Sequence, residues 1–405
     1  MEKVNVLFAT PSVSRNIGGI YTVEKSLALH LKQMGINVDV VSLVDSNTNN
    51  DLKEWLPLTP VCFKVYGPTA IGYSFGYLKR LRKSTANVGH IHSLWSYVSY
   101  ALYKWAKKEN RPYVLTPNGM LDRWALNNSK FKKRIALFFA ASKILKNASC
   151  IQVNTIAEYH SVRETGLSNP ICIINNGVEL PDTNKNYMAP WLDPANGEAG
   201  EKCKGKKILL YLGRIHHKKG VHLLLEAWKE IQLQPTPGSA EWHLVIVGFQ
   251  FANDSYEKSL ISYISDNSMS GSVTLLGGMF GHSMDACYAN CDAFILPSFS
   301  EGVPMAVLHA WAFSKTVVMT KECNLTIGFD HKAAIEIKPE MESIKAGIDS
   351  LMSLDKNTLA IIGQNGKELA QNKFSWDAVA KELLTVYNWI LNGGDVPSSI
   401  YRGEK

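Results

Sequence analysis

No stretch of the 405-residue chain approaches the 18 or more apolar residues that a membrane-spanning helix needs; the nearest candidate, Ile135 to Ser142, is far too short. The opening MEKVNVLFATPS has neither a basic leader nor a long apolar segment, so a cleaved signal peptide is not expected. Cysteine is sparse. Seven residues, at 62, 150, 172, 203, 287, 291 and 323, are scattered without zinc-type pairing and read as buried free thiols of a cytoplasmic protein. Charged residues make up 20% and hydrophobic ones 46%, which excludes a disordered chain, a collagen-like fibre and a coiled coil. Neither half carries G-x-G-x-x-G followed by an acidic residue at the next strand, so a nicotinamide or flavin dinucleotide site is weakly supported. G-x-x-x-x-G-K-[ST] is absent too, which argues against a phosphate-loop NTPase.

What is present is unevenly distributed. Residues 1–182 hold 22 Lys and Arg against 12 Asp and Glu, a balance of +10, while the remainder comes to −3. A basic half points to an anionic partner such as a phosphorylated substrate or a membrane surface. The basic runs lack any recognisable nucleic-acid module, so no nucleic-acid partner is expected. They fall at Lys79–Lys83, Lys104–Lys108 and Lys130–Arg134, and the last opens a segment, 130–147, that mixes apolar and cationic positions. A helix of this type either lies in a lipid interface or packs on a sheet with its lysines in water.

The hydrophobic pattern alternates between short apolar runs and helical periods. Val4–Ala9 reads as a buried parallel strand. The glycine loop Gly18–Gly19 comes after it, then an amphipathic helix with Val23, Leu27, Leu31 and Met34 on one face, then a second strand, VDVVSL. This is the start of a doubly wound α/β unit. Further strands are expected at 88–92, 113–116, 150–154 and 171–174. Residues 183–206, rich in Pro, Asn, Gly and charge, read as a linker between an N-terminal domain of residues 1–182 and a C-terminal domain of 207–374. Strands are expected there at 208–212, 243–247, 273–276, 293–296 and 316–319. Residues 375–405 hold a closing amphipathic helix, expected to return toward the first domain. The fold class is therefore α/β, with two Rossmann-like doubly wound domains facing each other across a cleft.

Two turns in the second half concentrate the chemistry. Gly213-Arg214-Ile-His-His-Lys-Lys219-Gly220 comes directly after a strand, so Arg214 and Lys219 fall at the C-terminal edge of the sheet, where doubly wound folds bind ligands. A forked guanidinium and a point ammonium suit a diphosphate. Ser300-Glu301-Gly302-Val303-Pro304-Met305 lies between a strand and a helix. Glu301 is placed at the helix N-terminus, and free amides there suit anionic oxygens.

GRIHHKKG together with SEGVPMAVLHAWA resembles the donor-site signature of the retaining nucleotide-sugar glycosyltransferases of family 4, which have the GT-B fold. The resemblance runs from FATPSVSRNIGGIYTVEKSLALHL to SWDAVAKELLTVY, and PNGMLDRWALNNSKFKKRIA is similar to a bacterial subset that builds surface polysaccharides, lipopolysaccharide among them. It implies that Arg214 and Lys219 bind the donor diphosphate and that Glu301, the first glutamate of an E-x7-E motif, contacts the donor sugar. Gly302, Val303, Pro304 and Met305 would hold donor oxygens through backbone amides. Gly18 and Gly19 match the glycine loop across the cleft from the diphosphate, Gly248 a turn beside the nucleotide, and Leu276–Phe280 the stretch near the base. The resemblance implies no cofactor and no metal, and a UDP-sugar in preference to a GDP-sugar as donor. It also implies a saccharide or polyprenyl-linked acceptor, and a cytoplasmic enzyme in peripheral contact with anionic membrane.

Three departures from that pattern stand out. His309 occupies the position of the second glutamate, which accepts from the ribose hydroxyls. A neutral imidazole has one acceptor nitrogen and a protonated one has none, so donor binding is expected to be weak and to weaken further below about pH 6.5. Ser314 and Thr316 stand where relatives have Gly and Pro. Asn118 replaces the histidine of a T-x-H-G turn and would serve as a catalytic-site hydrogen-bonder that cannot titrate. His90 and His92, at a strand end, are expected to line the acceptor side. The alternative raised by His309 is a catalytically weak or inactive relative that binds sugar nucleotides or partners.

Overall fold

The computed structural model describes residues 2–121, 135–182, 184–194, 199–248 and 255–401. The chain divides into two compact units, residues 1–177 with 376–405, and residues 178–375.

The first unit is built on seven parallel strands: β1 (Asn5–Ala9), β2 (Asn37–Leu43), β3 (Val61–Phe63), β4 (Val88–Ile91), β5 (Tyr113–Leu115), β6 (Cys150–Val153) and β7 (Ile171–Ile173), in the order 3-2-1-4-5-6-7. β1 explains the arrangement. Val6 and Phe8 belong to one hydrophobic core and Leu7 and Ala9 to another, so a strand with no polar face must sit mid-sheet, covered on both sides. Helix α1 (Gly19–Gln33) and the C-terminal helix (Trp376–Asn392) cover one face. Leu27, Ala28 and Leu31 of the first meet a stripe of Trp376, Val379, Leu383 and Tyr387 of the second. α2 (Tyr77–Leu81), α3 (Tyr97–Glu109) and α4 (Ile135–Lys146) belong to the other face, with α5 (Ile156–Glu164) coming after β6. Ala141, Ile144 and Leu145 of α4 are buried in that core while Lys143 and Lys146 are exposed, which is the helix-on-sheet reading of this segment. The run Lys130–Arg134 lies outside the described residues.

The second unit repeats the plan with six parallel strands: β8 (Lys207–Leu212), β9 (Trp242–Val247), β10 (Val273–Leu276), β11 (Ala293–Leu296), β12 (Thr316–Thr320) and β13 (Ala334–Ile337), in the order 10-9-8-11-12-13. Its helices include α6 (Val221–Leu233), α7 (Ser255–Asp266), α8 (His282–Asn290), α9 (Met305–Ala312), α10 (Met341–Ser353) and α11 (Lys356–Leu369). The expected linker is part of this unit. Ala189, Trp191 and Cys203 are buried in its core, and Asn290 donates to the Tyr187 carbonyl at 2.9 Å. Among the described residues of this segment, Pro190 and Gly200 thus belong to a packed wrap. Two edge strands, β3 and β13, were not expected from the sequence. Among the described residues no helix is long and apolar enough to cross a membrane.

Candidate active site

In each unit the strand order reverses beside its first strand, between β1 and β4 and again between β8 and β11. Loops at such a point diverge and leave a crevice at the carboxyl ends of the strands. In the second unit these are residues 213–220 after β8 and 297–304 after β11, the two turns singled out by the sequence.

They are bolted together. A Cβ at Gly220 (φ +70°) would lie 2.1 Å from the Pro297 carbonyl oxygen, so only glycine permits this approach. Phe299 donates its amide to the Lys218 carbonyl at 2.8 Å. A Cβ at Gly248 would fall 2.5 Å from the Gly213 carbonyl, which locks the ends of β8 and β9 in contact. The Tyr211 hydroxyl donates to the Arg214 carbonyl at 2.9 Å and fixes the start of the basic turn.

On this frame Lys219 Nζ donates to Glu301 Oε1 at 2.6 Å, and both side chains are largely buried. Ser298 Oγ donates to the same oxygen at 2.5 Å. Glu301 does not cap α9. Its carboxylate turns back to Lys219, its amide donates to the Glu322 carbonyl at 3.0 Å, and its own carbonyl accepts from Asn324 Nδ2 at 2.6 Å. The helix itself begins at Met305, with Pro304 just ahead of it. The amides of Gly302, Val303, Met305 and Ala306 have no acceptor among the described residues, and Gly302 is exposed with open space where a side chain would stand. Arg214 is exposed and without an acidic partner among the described residues. The ensemble offers an exposed guanidinium, an ammonium with two donors left after Glu301, and a helix N-terminus. All three suit polyanionic oxygens.

His309 stands apart from these groups in its chemistry. Its ring stacks on Tyr288 at 5.7 Å and 17°, and no hydrogen bond holds it among the described residues. Part of its surface stays open, yet burial pushes its pKa down to about 4. The expected loss of a neutral acceptor below pH 6.5 is therefore corrected, because the surroundings keep the imidazole neutral well below that value. Phe249 and Gln250, after Gly248, lie outside the described residues. His217 stacks on Tyr256 at 3.8 Å, and His222 Nδ1 bonds the Tyr256 hydroxyl at 2.9 Å, so these histidines brace the turn from behind.

In the first unit, Gly18 precedes α1 and both Gly18 and Gly19 border open space. His90 and His92 are a correction to the acceptor-side expectation, because both are fully buried. His90 is used up by the Tyr387 hydroxyl (2.5 Å) and Thr116 Oγ1 (2.9 Å). His92 has neither ring nitrogen partnered among the described residues, and burial holds its pKa down near 3. Two residues apart at a strand end, the two rings share one face of the sheet, stacked on each other at 4.5 Å and on Phe8, and that face is covered. Asn118, at φ +50°, remains half-exposed and donates Nδ2 to the His92 carbonyl at 3.2 Å.

Three residues escaped the sequence reading: Ser298 and Asn324, which position Glu301, and Glu24. The Glu24 carboxyl is buried on α1 with Thr10 Oγ1 on one oxygen at 2.5 Å, and burial raises its pKa to about 8. Only the spacing of Ser298 from Glu301, three residues on the same loop, offered any signal.

The family profile of glycosyl transferases group 1 matches residues 195–369, and that of glycosyltransferase family 4 matches residues 17–181. The second half of the chain is thus matched by the group 1 glycosyltransferases. The first half is family 4-like and the fold is GT-B. An uncharacterised glycosyltransferase of Methanocaldococcus jannaschii is 29% identical over 187 residues, 45% of each chain. The capsular polysaccharide biosynthesis glycosyltransferase CapM of Staphylococcus aureus is 27% identical over 191 residues, 45% of this chain and 46% of that one. These alignments span about half the length of either relative. A glycosyltransferase of Rickettsia africae superposes with a TM-score of 0.71 at 18% identity, over 97% of this chain and 100% of that one. HepE of Anabaena, solved in complex with UDP, gives 0.71 at 17%, over 95% and 99%.

Proposed function

We propose that this protein is a glycosyltransferase that moves a sugar from a nucleoside-diphosphate sugar to a saccharide acceptor, with retention at the anomeric carbon and without a metal. The observation that carries the reading is the cluster of Arg214, Lys219–Glu301 and the acceptor-free amides from Gly302 to Ala306 at the switch point of the second sheet. When the bond from the anomeric carbon to the diphosphate breaks, negative charge grows on the leaving oxygen. Arg214, Lys219 and the positive end of α9 oppose that charge, the task that a metal performs in other transferases. Glu301, held by Lys219 and Ser298, is fixed as an acceptor for donor-sugar hydroxyls. With no carboxylate serving as nucleophile, front-face attack assisted by the leaving phosphate gives retention, and positioning supplies much of the rate. UDP is the proposed nucleotide, being the ligand in the HepE complex. A lipid-linked saccharide of a bacterial surface polysaccharide is the proposed acceptor, in line with the capsular polysaccharide role for which CapM is named.

A panel of nucleotide sugars, assayed for transfer and hydrolysis, tests the reading, with product anomers assigned by NMR. Arg214→Ala and Lys219→Ala should each lower turnover on the order of a hundredfold or more, the scale of one lost contact at a developing oxyanion. EDTA should leave the rate unchanged. Near-native rates in both variants would refute the assigned roles. A second reading is supported by His309: a relative that binds sugar nucleotide feebly and turns over little. Nucleotide binding without turnover for every donor would favour it.

A further inference from the structure

Residues 71–75 of the first unit invert the usual amphipathic pattern. Gly72 and Ser74 are buried, whereas Ile71, Tyr73 and Phe75 are 41%, 38% and 63% exposed. The segment is not loose. Tyr97 donates its amide to the Ile71 carbonyl at 2.7 Å, Tyr66 to the Tyr73 carbonyl at 2.8 Å, and Ser74 Oγ to the Lys64 carbonyl at 2.6 Å. A Cβ at Gly72 would press on Leu43 at 3.0 Å. The exposed rings are ordered as well: Tyr66 and Tyr73 meet Phe75 edge to face at 4.8 and 5.2 Å, and Tyr73 meets Tyr97 at 4.9 Å. Tyr100, 37% exposed, extends the patch, with Lys104 over its ring. A rigid ridge of large apolar side chains facing water marks an interaction surface.

Charge narrows the partner. From Trp55 to Lys108 the sequence holds eight Lys and Arg and no Asp or Glu. Lys64, Lys79, Arg82 and Lys83, on or next to the ridge in sequence, are exposed. Tyrosine and phenylalanine at a water–hydrocarbon boundary with lysines on the rim fit a lipid interface. A stretch this devoid of acids fits an anionic one.

We propose that the ridge of Ile71, Tyr73 and Phe75, rimmed by Lys64, Lys79, Arg82 and Lys83, docks the protein on an anionic bilayer surface. This deepens the reading of a lipid-linked acceptor and draws its purpose from that reading. It also moves the membrane contact from the 130–147 segment to residues 64–83. The test is sedimentation of the full chain with phosphatidylglycerol–phosphatidylcholine vesicles and with phosphatidylcholine alone, at low and high salt. No donor or acceptor is added, so the docking surface and the transfer reaction can fail separately. The wild type should bind anionic vesicles, more weakly in high salt. Ile71→Ser with Phe75→Ser should lower partitioning at least about tenfold at both salts. Arg82→Glu with Lys83→Glu should lower it more than about tenfold at low salt alone. Ile361→Ser, at a residue 61% exposed on the second unit, should change nothing. The first pair should also keep the wild-type Tm and the wild-type rate on a water-soluble acceptor. Absence of wild-type binding, or undiminished binding by the Ile71/Phe75 pair, overturns the proposal. Loss of self-association in that pair without any vesicle binding assigns the ridge to a second copy of the chain and overturns it too.

Discussion

The stacking of His309 on Tyr288 fixes what the imidazole can do. A ring pressed on an aromatic face and largely withdrawn from water disfavours its charged form, and burial takes the pKa to about 4. Affinity for a UDP-sugar, whose diphosphate diester has no group titrating in this range, should therefore stay flat between about pH 8 and 5 and fall only as pH approaches 4; calorimetric titration across that range checks it, and a midpoint near 6.5 would place the ring in water. His309→Glu should tighten UDP binding about tenfold, because a carboxylate presents two charged acceptors to ribose hydroxyls. It should also lower the Tm of the nucleotide-free protein, because the new charge is desolvated beside Tyr288. Unchanged or weaker binding would mean that position 309 does not face the ribose. Glu24 works in the opposite sense on stability. Its folded pKa of about 8 lies above the ordinary 4.5, and desolvation is the main cause. A carboxyl that resists ionisation when folded contributes most below pH 4.5, and that contribution is lost as pH rises to about 8. Glu24→Gln should flatten this decline and raise stability at pH 8 by a few kcal/mol. Urea unfolding of both proteins at pH 5 and about 8 reads it out, and parallel curves would contradict the buried, neutral carboxyl.

At the scale of elements, two glycines of one site predict opposite results. Gly220 joins β8 to α6 at φ +70°, with Pro297 in van der Waals contact behind it. Gly220→Ala meets both a left-handed backbone and a carbonyl oxygen at 2.1 Å, and should cost about 2–4 kcal/mol in stability. Gly302→Ala has open space and no positive φ, so it should leave stability within about 0.5 kcal/mol while weakening donor binding. Chemical denaturation paired with UDP titration separates the two, and a destabilised Gly302→Ala would mean that the 297–304 loop is packed rather than open. Such positions were legible because Gly213, Arg214, Lys219 and Glu301 come after strands that are apolar on both faces. β8 and β11 read as unbroken runs, ILLYL and AFIL, and a turn that leaves the end of a central parallel strand must fall at the ligand edge. β3 and β13 stayed hidden because edge strands of three and four residues, only partly buried, need no such run. Asn324 and Ser298 were invisible for another reason. Asn324 reaches Glu301 from beyond β12, a contact made in space and carried by no local pattern. The same limit misled the reading of His90, whose ring is held by Tyr387 nearly 300 residues away in sequence, and of His92, which stacks on His90.

For the whole molecule, the path of the chain through its two units decides which piece can stand alone. Residues 178–375 form one continuous segment whose ends meet: Val178 donates its amide to the Phe374 carbonyl at 2.7 Å, and the core of this segment is its own. The other unit is assembled from residues 1–177 and 376–405, and its closing helix is structural. Trp376, Val379, Leu383, Val386 and Tyr387 are all buried, the Tyr387 hydroxyl holds His90, and Gly177 accommodates the Trp376 ring where any Cβ would lie 2.5 Å from it. Burying a large apolar side chain contributes roughly 1.5–3 kcal/mol. Five of them rival the entire 5–15 kcal/mol or so by which an ordinary domain is stable. A fragment of residues 178–375 should therefore fold cooperatively by itself and bind UDP through Arg214, Lys219 and the amides near Gly302. A fragment of residues 1–177 should stay largely unfolded until the 376–405 peptide is supplied. Circular dichroism melts of both fragments, with calorimetric titration of UDP into the first, make the comparison. A cooperative melt of the 1–177 fragment alone would show that the C-terminal helix is dispensable. Failure of a folded 178–375 fragment to bind UDP would show that the second unit's switch point does not suffice for the donor.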